Sequence, residues 1–223
     1  MILIPVKNLA NAKQRLASIL DQSARTELAH AMLLDVLETI AHWKHRPAAA
    51  LVTSDRFALD LASRFDFEVI PDTQNRSETD AIEMATDVCV SRGVDFTLVI
   101  PGDIPLVSAS ELQQVLKAAP AEGSVLVPSA EGRGTNAALR RPANLFPLRF
   151  GNDSFKPHLA AARATGKPCV VLSLPGIALD VDNPSDLRDL ASASGETRAQ
   201  LLARKWDIAD RTRFTSPAEQ KSP

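Results

Sequence analysis

The sequence predicts an α/β protein with a mixed, mostly parallel sheet and helices on both faces. Short β-like runs alternate with helix-like runs along most of the chain, which is typical of such sheets. The 223 residues are 45% hydrophobic, enough to form a sizeable core. In folds of this kind ligands bind beyond the carboxyl ends of the strands, so the residues that directly follow each strand are the candidates for a site.

Hydrophobic spacing and turn residues define the individual elements. The long helix shows apolar residues four apart, at Leu28, Met32, Val36 and Ile40. The predicted strands are 2–6, 48–53, 67–70, 96–100, 124–128, 136–140 and 169–174. The predicted helices are 24–43, 56–65, 78–92, 110–118, 154–164, 184–192 and 197–205. We expect one domain over residues 1–212 and a disordered polar tail over 213–223.

Composition excludes several classes of function. The net charge of -2 gives no support for nucleic-acid binding. No apolar stretch approaches the roughly 20 residues of a membrane span. Cys89 and Cys169 are far apart and form neither a zinc motif nor a disulfide framework. We therefore expect a cytoplasmic protein with reduced cysteines. The sequence does not indicate an oligomeric state.

A basic loop follows the first strand. Lys7, Lys13 and Arg15 lie within nine residues of one another. Such a loop can bind a triphosphate through its charge and its backbone N–H groups, and the alternative is a solvated basic loop. Neither a Walker A nor a GxGxxG pattern is present, so P-loop chemistry and dinucleotide binding have no motif support.

Three carboxylates follow two later strands. Asp103 comes after an apolar strand and stands between Pro101-Gly102 and Pro105; Asp180 and Asp182, two residues apart, point to the same side of an extended segment. Carboxylates this close repel one another unless a cation lies between them. Mg²⁺ prefers carboxylate and phosphate oxygens, so the three form a candidate site for one or two Mg²⁺ ions. The alternative is helix capping by Asp103 and Asp182.

Two turns offer groups that suit an anionic acceptor. Residues 132–136 read Gly-Arg-Gly-Thr-Asn and enter a strand, and residues 150–158 contain Gly151 and Ser154 and enter a helix. Hydroxyl groups and free backbone N–H groups at such places bind anions. Ordinary turn chemistry, with Ser154 as a helix N-cap, is the alternative.

These motifs, in this order, resemble one enzyme family. Pro-Val-Lys with Ala-Lys-Gln-Arg-Leu, Pro-Gly-Asp-Ile-Pro-Leu, Gly-Thr-Asn, Phe-Gly-Asn-Asp-Ser-Phe with His158, and Asp-Val-Asp-Asn-Pro are similar to motifs of the guanylyltransferases of deazaflavin coenzyme F-420 biosynthesis, the CofC/FbiD family. The resemblance spans about Ile2 to Leu190. It implies the nucleotidyltransferase fold, which is like the GT-A fold of nucleotide-diphospho-sugar transferases.

The resemblance also implies an activity. GMP from GTP is transferred to phosphoenolpyruvate or 2-phospho-L-lactate, or in some members to 3-phospho-D-glycerate, and diphosphate is released. A downstream transferase that uses a deazaflavin acceptor is the implied partner. Carried over by motif, the metal ligands are Asp103, Asp180 and Asp182, a phosphate contact is Lys7, and the phospho-acid residues are Thr135, Gly151 and Ser154.

Catalysis by such an enzyme needs no covalent intermediate and no strong general base, because the acceptor phosphate is already anionic. Positioning of the two substrates, together with charge neutralisation by Mg²⁺ and Lys7, would account for the rate enhancement. Lys13 or Arg15 would add positive charge at the nucleotide. Lys7 and Asp103 are therefore the predicted catalytic residues.

The chain departs from the family pattern at one segment. Where the family has Leu-Asn-x-Ala at the start of the middle helix, this chain has Glu78-Thr79-Asp80-Ala81. We expect Thr79 to line the nucleotide pocket, so the change allows a preference for CTP or ATP, or a different acceptor.

Other functions remain open at this point. A molybdopterin cytidylyltransferase-like enzyme usually has a glycine-rich N-terminal loop, which residues 6–16 lack. A nucleotide-sugar glycosyltransferase fits the Asp180/Asp182 pair but fits Asp103 less well. A non-catalytic nucleotide-binding module rarely needs three uncompensated carboxylates.

Overall fold

The computed structural model describes residues 1–74, 76–151 and 153–206, and the predicted tail at 213–223 lies outside these ranges. The strands are β1 (Ile2–Val6), β2 (Ala49–Thr53), β3 (Glu68–Pro71), β4 (Thr97–Val99), β5 (Gly123–Pro128), β6 (Thr135–Arg141) and β7 (Cys169–Val171). The helices are α1 (Gln22–His42), α2 (Arg56–Phe65), α3 (Glu78–Ser91), α4 (Ala109–Ala118), α5 (Phe155–Ala164), α6 (Pro175–Ala178), α7 (Pro184–Ser192) and α8 (Arg198–Lys205).

The seven strands form one sheet in the order β3-β2-β1-β4-β6-β5-β7. Neighbouring strands pair in parallel except β6, which is antiparallel to both β4 and β5. The predicted mixed, mostly parallel sheet is therefore confirmed. Because β6 runs the other way, its first residues lie at the edge where the parallel strands end, and Thr135 pairs with Pro128 at the end of β5.

Alternating side chains along the strands divide the core between two faces. On β1, Ile2, Ile4 and Val6 pack in the cluster that contains residues of α1, α2 and α4. Leu3 packs in the opposite cluster with residues of α3 and α5. The expected helices on both faces are thus present.

A third cluster fixes the segment between α6 and α7. Val181 is fully buried with Leu187 of α7, Ala199 of α8 and Met32 of α1. This apolar anchor lies between Asp180 and Asp182, so the two carboxylates flank a residue held in the core.

The structure differs from the predicted elements at several places: helix α6 was not predicted, and β4 is shorter than the predicted strand 96–100. Strand β7 ends at Val171 instead of residue 174, because the chain leaves the sheet before the short helix α6, which begins at Pro175 with Leu174 as its N-cap. The basic loop contains two 3₁₀ turns, Leu9–Asn11 and Gln14–Leu16, that were not predicted. None of the helices in the described ranges has the length and apolar character needed to cross a bilayer.

Candidate active site

The ends of β1 and β4 bring two predicted motifs together. The loop after β1 carries Lys7 and Lys13, and the loop after β4 carries Asp103. The Val181 N–H donates to the carbonyl oxygen of Asp103 at 3.2 Å. This backbone bond fastens the segment of Asp180 and Asp182 beside the β4 loop, so residues far apart in sequence share one site.

Lys13 lies between two of the predicted metal ligands. Its Nζ is 2.6 Å from Oδ2 of Asp103 and 2.9 Å from Oδ1 of Asp182. The Lys13 side chain is only 7% exposed, and the residue adopts a left-handed backbone conformation with φ of 57°. Arg15 reaches Oδ2 of Asp182 at 3.5 Å. A single ammonium group thus neutralises carboxylates from two different loops.

The charges of this cluster shift its pKa values. Burial disfavours the ammonium form of Lys13, but the charges of Asp103 and Asp182 outweigh it and raise the pKa of Lys13. Burial disfavours the ionised form of Asp182 in the same way, yet Lys13 and Arg15 hold its pKa below the ordinary value. Lys13 is therefore a permanent cation at neutral pH.

Asp180 is held by a residue that the sequence analysis did not select. Asn136 Nδ2 donates to Oδ1 of Asp180 at 2.9 Å and to the carbonyl oxygens of Ile177 and Ala178 at 3.0 Å. Burial, followed by the charges of Asp103 and Asp182, raises the pKa of Asp180 despite this hydrogen bond. Asn136 was quoted only as part of a turn motif, and its role depends on the antiparallel direction of β6.

Lys7 has a partner that was also missed. Its Nζ is 2.7 Å from Oδ2 of Asp72, which follows β3 and is only 7% exposed in its side chain. Strand β3 is two places from β1 in the sheet, so this contact depends on strand order. Asp72 follows a strand end, but its pairing with Lys7 could not be predicted without the strand order.

Two clefts meet at this cluster. The cleft that we call the N-terminal cleft has a volume of about 340 Å³ and is lined by residues including Lys7, Lys13, Glu78 and Asp103. The cleft that we call the C-terminal cleft has a volume of about 510 Å³, and its lining includes Arg15, Arg133, Gly134, Gly151, Asp180 and Asn183. Asp182 lines both clefts. The predicted metal residues, together with Lys7, Lys13 and Arg15 of the predicted nucleotide residues, thus lie around one junction, with Arg15 on the C-terminal side.

Glu78 adds a fourth carboxylate to the N-terminal cleft. Burial and then the charge of Asp103 raise its pKa to about 7, although Lys7 opposes the shift. In the sequence, Glu78 stands in the segment that departs from the family pattern.

The predicted phospho-acid residues lie at the C-terminal cleft and behind it. Gly151 lines the cleft, whereas Thr135 and Ser154 are buried, with 6% and 4% exposed. The Thr135 N–H donates to Ser154 Oγ at 3.1 Å. The Ser154 side chain makes no capping hydrogen bond to α5, so the alternative of a simple N-cap is not what the structure shows.

Thr79 contacts the loop that precedes Gly151. Its Oγ1 accepts a hydrogen bond from the Phe150 N–H at 2.9 Å. Thr79 does not belong to the lining of the N-terminal cleft, whereas its neighbour Glu78 does. Its predicted contact with the nucleotide stays a prediction.

The donor chemistry of the junction fits Mg²⁺. Asp103, Asp180 and Asp182 supply hard oxygen ligands, and these three carboxylates outnumber the two cations, Lys13 and Arg15, that contact the group. Within the ranges that the structure describes, no three His, Cys, Asp or Glu side chains already stand as a metal-binding group. Lys13 instead occupies the space between two of the candidate ligands.

Comparison with solved structures identifies the fold. The chain matches a crystal structure from Desulfovibrio desulfuricans G20, assigned as a nucleotide-diphospho-sugar transferase, with a TM-score of 0.77. The match covers 95% of this chain and 96% of the other at 19% sequence identity. It supports the predicted fold and carries no argument about substrates.

Comparison with related sequences identifies the family. A phosphoenolpyruvate guanylyltransferase of Roseiflexus castenholzii is 35% identical over 92% of this chain and 93% of its own length. A 2-phospho-L-lactate guanylyltransferase of Methanothermobacter thermautotrophicus is 32% identical over 91% and 89%. A 3-phospho-D-glycerate guanylyltransferase of Colwellia psychrerythraea is 31% identical over 90% and 95%. The family model described as "Guanylyl transferase CofC like" matches residues 1–221, and the chain therefore belongs to the CofC-like guanylyltransferases.

Proposed function

We propose that this protein transfers GMP from GTP to a phosphorylated three-carbon acid and releases diphosphate, as a step in the biosynthesis of coenzyme F-420. The observation that carries the proposal is the junction at Asp182, where two clefts meet beside a buried lysine and two further carboxylates. A transferase must bring two anionic substrates into contact, and this junction offers a cleft for each. The guanylyltransferase relatives support the choice of reaction.

The N-terminal cleft suits the nucleotide. Lys7 and Lys13 place two cationic groups along one wall, and Arg15 stands at the junction. These charges favour a triphosphate, and the apolar lining residues Met32 and Leu33 favour the base and sugar. The choice of base rests on the family, because Thr79 differs from the Asn expected there.

The C-terminal cleft suits the phospho-acid. Gly151, with φ of 134°, and Gly134 expose backbone at its wall. The hydroxyl group of Thr135 lies one residue after Gly134, and that of Ser154 lies three residues after Gly151. A phosphate and a carboxylate both bind well to N–H and O–H donors. The three acceptors named for the relatives share this chemistry and differ by few atoms.

The reaction itself needs few protein groups. A phosphate oxygen of the acid attacks the α-phosphorus of GTP, a new phosphorus–oxygen bond forms, and the bond to the β-phosphate oxygen breaks with its electron pair leaving on diphosphate. The nucleophile is already ionised, so no residue must remove a proton. Lys7 and Lys13 hold the phosphates in line and offset negative charge that builds up at the α-phosphate.

We include Mg²⁺ in the proposal, held by Asp103, Asp180 and Asp182. Bound there, the ion would neutralise phosphate charge and orient the triphosphate. Asn136 keeps Asp180 in place, and the Val181–Asp103 backbone bond keeps the two ligand loops together. GTP and phosphorylated acids are substrates found inside cells, which agrees with the cytoplasmic location proposed from the sequence.

Diphosphate release from the purified protein tests this function. The assay combines Mg²⁺ with each of four nucleoside triphosphates and each of the three phospho-acids. We expect release with GTP and one acid. Release with CTP or ATP instead would connect Thr79 with a changed base preference. Absence of release in every combination, repeated with a deazaflavin-accepting transferase present, would contradict the proposal and favour a nucleotide-binding module.

A further inference from the structure

A chain of buried hydrogen bonds lies behind the wall of the C-terminal cleft, where the phospho-acid is proposed to bind. The Arg149 N–H donates to Nε2 of His158 at 2.7 Å, and His158 Nδ1 is 2.9 Å from Oγ1 of Thr135. The Thr135 N–H continues the chain to Ser154 Oγ. His158 is 1% exposed, so water cannot easily replace either of its partners.

The first contact in the chain fixes the protonation state of the imidazole. A backbone N–H is always a donor, so Nε2 of His158 must offer a lone pair to Arg149. The ring proton then sits on Nδ1 and is donated to Oγ1 of Thr135. The doubly protonated ring is excluded by geometry, because it would direct an N–H at the Arg149 N–H. Burial, followed by the nearby charge of Arg140, also lowers the pKa of His158 to about 4.

The second contact determines where the hydroxyl proton of Thr135 points. Oγ1 uses a lone pair to accept from His158, so its own proton must be directed away from the ring. Ser154 Oγ likewise accepts from the Thr135 N–H and keeps its proton. In the described part of the chain neither hydroxyl donates to a protein acceptor. Gly134 and Asp153, the residues before Thr135 and Ser154, both line the cleft.

We propose that His158 is a positioning residue. It orients the hydroxyl of Thr135 so that this hydroxyl donates a hydrogen bond to the anionic acceptor in the C-terminal cleft. The inference rests on the proposed function for the identity of that cleft. It assigns His158 no contact with substrate and no proton transfer. Without the Nδ1 donor, the Thr135 hydroxyl is free to rotate, and its average interaction with the acceptor weakens.

Two substitutions test the two ring nitrogens of His158 separately. His158→Asn places an amide near Nδ1 and keeps a donor to Thr135, whereas His158→Gln places an acceptor near Nε2 and keeps the partner of Arg149. We expect His158→Gln to raise KM for the acid about tenfold or more, with KM for GTP unchanged, since a hydrogen bond to a charged group is worth about that factor. His158→Asn should stay within about threefold of the wild-type KM. A merely structural histidine would instead give parallel changes in activity and thermal stability for both variants.

Thr135→Val completes a double-mutant cycle with His158→Gln. The valine has no hydroxyl, so KM for the acid should rise, and adding His158→Gln should produce no further increase. The proposal would be overturned if the two substitutions raised KM for the acid independently of each other. It would also be overturned if KM for GTP rose as much as KM for the acid. If the wild-type protein turns over no substrate pair, the proposed function fails, and this inference fails with it. If the wild-type protein is active and His158→Gln leaves KM for the acid unchanged, only the positioning role is contradicted.

One readout does not depend on turnover. ¹⁵N NMR of the labelled imidazole distinguishes a proton on Nδ1 from one on Nε2. We expect the Nδ1-protonated form at pH 7, and an Nε2-protonated ring would overturn the inference whatever the activity data show.

Discussion

Lys13 is the residue on which the electrostatics of the junction depend. Its ammonium is almost fully buried and bonded to carboxylates from two loops. Transferring such a charge from water is costly, and the attraction to Asp103 and Asp182 offsets the cost only while both partners are in place. A divalent cation at the same carboxylates would compete with Lys13, so ammonium and metal are alternative means of neutralising this cluster.

Replacing Lys13 by methionine should therefore have two opposite effects. The two carboxylates lose their counter-ion and repel, so the free energy of unfolding in the presence of a chelator should fall by about 2 kcal/mol. Mn²⁺, used as a probe of the proposed magnesium site, should bind the variant without nucleotide at least tenfold more tightly than it binds the wild type. Titration calorimetry measures this affinity, with the exposed Lys44→Met as the control. Weaker or unchanged Mn²⁺ binding would contradict the assignment of these carboxylates to the metal.

Substitution at Asp103 should separate activity from stability. Asp103→Asn removes the charge of a candidate metal ligand while Lys13 keeps its bond to Asp182. We expect diphosphate release to fall at least a hundredfold, whereas the free energy of unfolding should fall by no more than about 2 kcal/mol, because Lys13 loses the charge of one partner and keeps the other. Asp60→Asn, on the exposed side of α2, is the control and should be fully active. A folded, fully active Asp103→Asn enzyme would rule out the metal assignment.

The predictable part of the site consists of residues that follow a recognisable strand in a characteristic motif. Asp103 and the basic loop were predicted this way. Asp180 and Asp182 were selected by their motif, and in the structure they follow helix α6 instead of a strand. Asn136 and Asp72 were not, because their roles follow from the direction of β6 and from strand order. Neither property has a local signal in the sequence, so a residue that only orients another residue is hard to recognise.

At the scale of elements, the short helix α6 determines how the segment from Asp180 to Asp182 approaches the sheet. Glu111 connects it to α4: its carboxylate accepts from the Gly176 N–H at 2.7 Å and from the backbone and hydroxyl of Ser108. A Cβ at Gly176 would lie 2.3 Å from the carbonyl oxygen of Leu106 and 2.4 Å from Glu111 Oε2. The close packing of α6 therefore requires glycine at this position.

Gly176→Ala should push α6 away from the start of α4. Because one of the clashing atoms belongs to the backbone, we expect a loss of about 2 kcal/mol or more in the free energy of unfolding, together with lower activity as Asp180 moves. Gly166→Ala is the matched control. It sits in open space with φ of 70°, so only backbone strain applies, about 1 kcal/mol, and activity should be unchanged. Chemical denaturation of both variants checks the difference, and equal losses would show that the contacts of Gly176 do not matter.

Most helices and strands could be predicted from the sequence, but the residues at which they end could be predicted less well. The four-residue spacing of α1 and the compact apolar strands reflect burial of a single face, which sequence periodicity records directly. The end of β7 and the 3₁₀ turns of the basic loop depend on tertiary contacts. For example, the Leu172 N–H still donates to the carbonyl oxygen of Leu126, although strand β7 ends at Val171. Such contacts leave no periodic signal.

At the scale of the whole molecule, the excess of carboxylates at the junction makes stability depend on pH. The pKa of Glu78 is raised to about 7 from 4.5, so the folded state holds a proton that the unfolded state has released between these pH values. Stability from this group is present below about pH 4.5 and is lost as pH rises through 7. His158, with its pKa lowered to about 4, acts in the opposite direction between pH 4 and 6.5.

Glu78→Gln should therefore stabilise the metal-free protein at high pH only. Glu78 is half-buried, and after allowance for solvent screening we expect a gain of about 1 kcal/mol at pH 8 that disappears at pH 4.5. Thermal unfolding at the two pH values measures it. A gain of equal size at both pH values would show that packing, and not the charge of Glu78, is responsible.

The central claim is that GMP passes directly from GTP to the acid at the junction of the two clefts. A single-turnover reaction with GTP labelled at the α-phosphate, Mg²⁺ and each phospho-acid, quenched and separated into protein and small molecules, tests it most directly. The account predicts that the label moves from GTP to a guanylylated acid only when an acid is present, and that none becomes attached to the protein. Label that stays in GTP with every acid, appears as free GMP, or is bound covalently to the protein would contradict it.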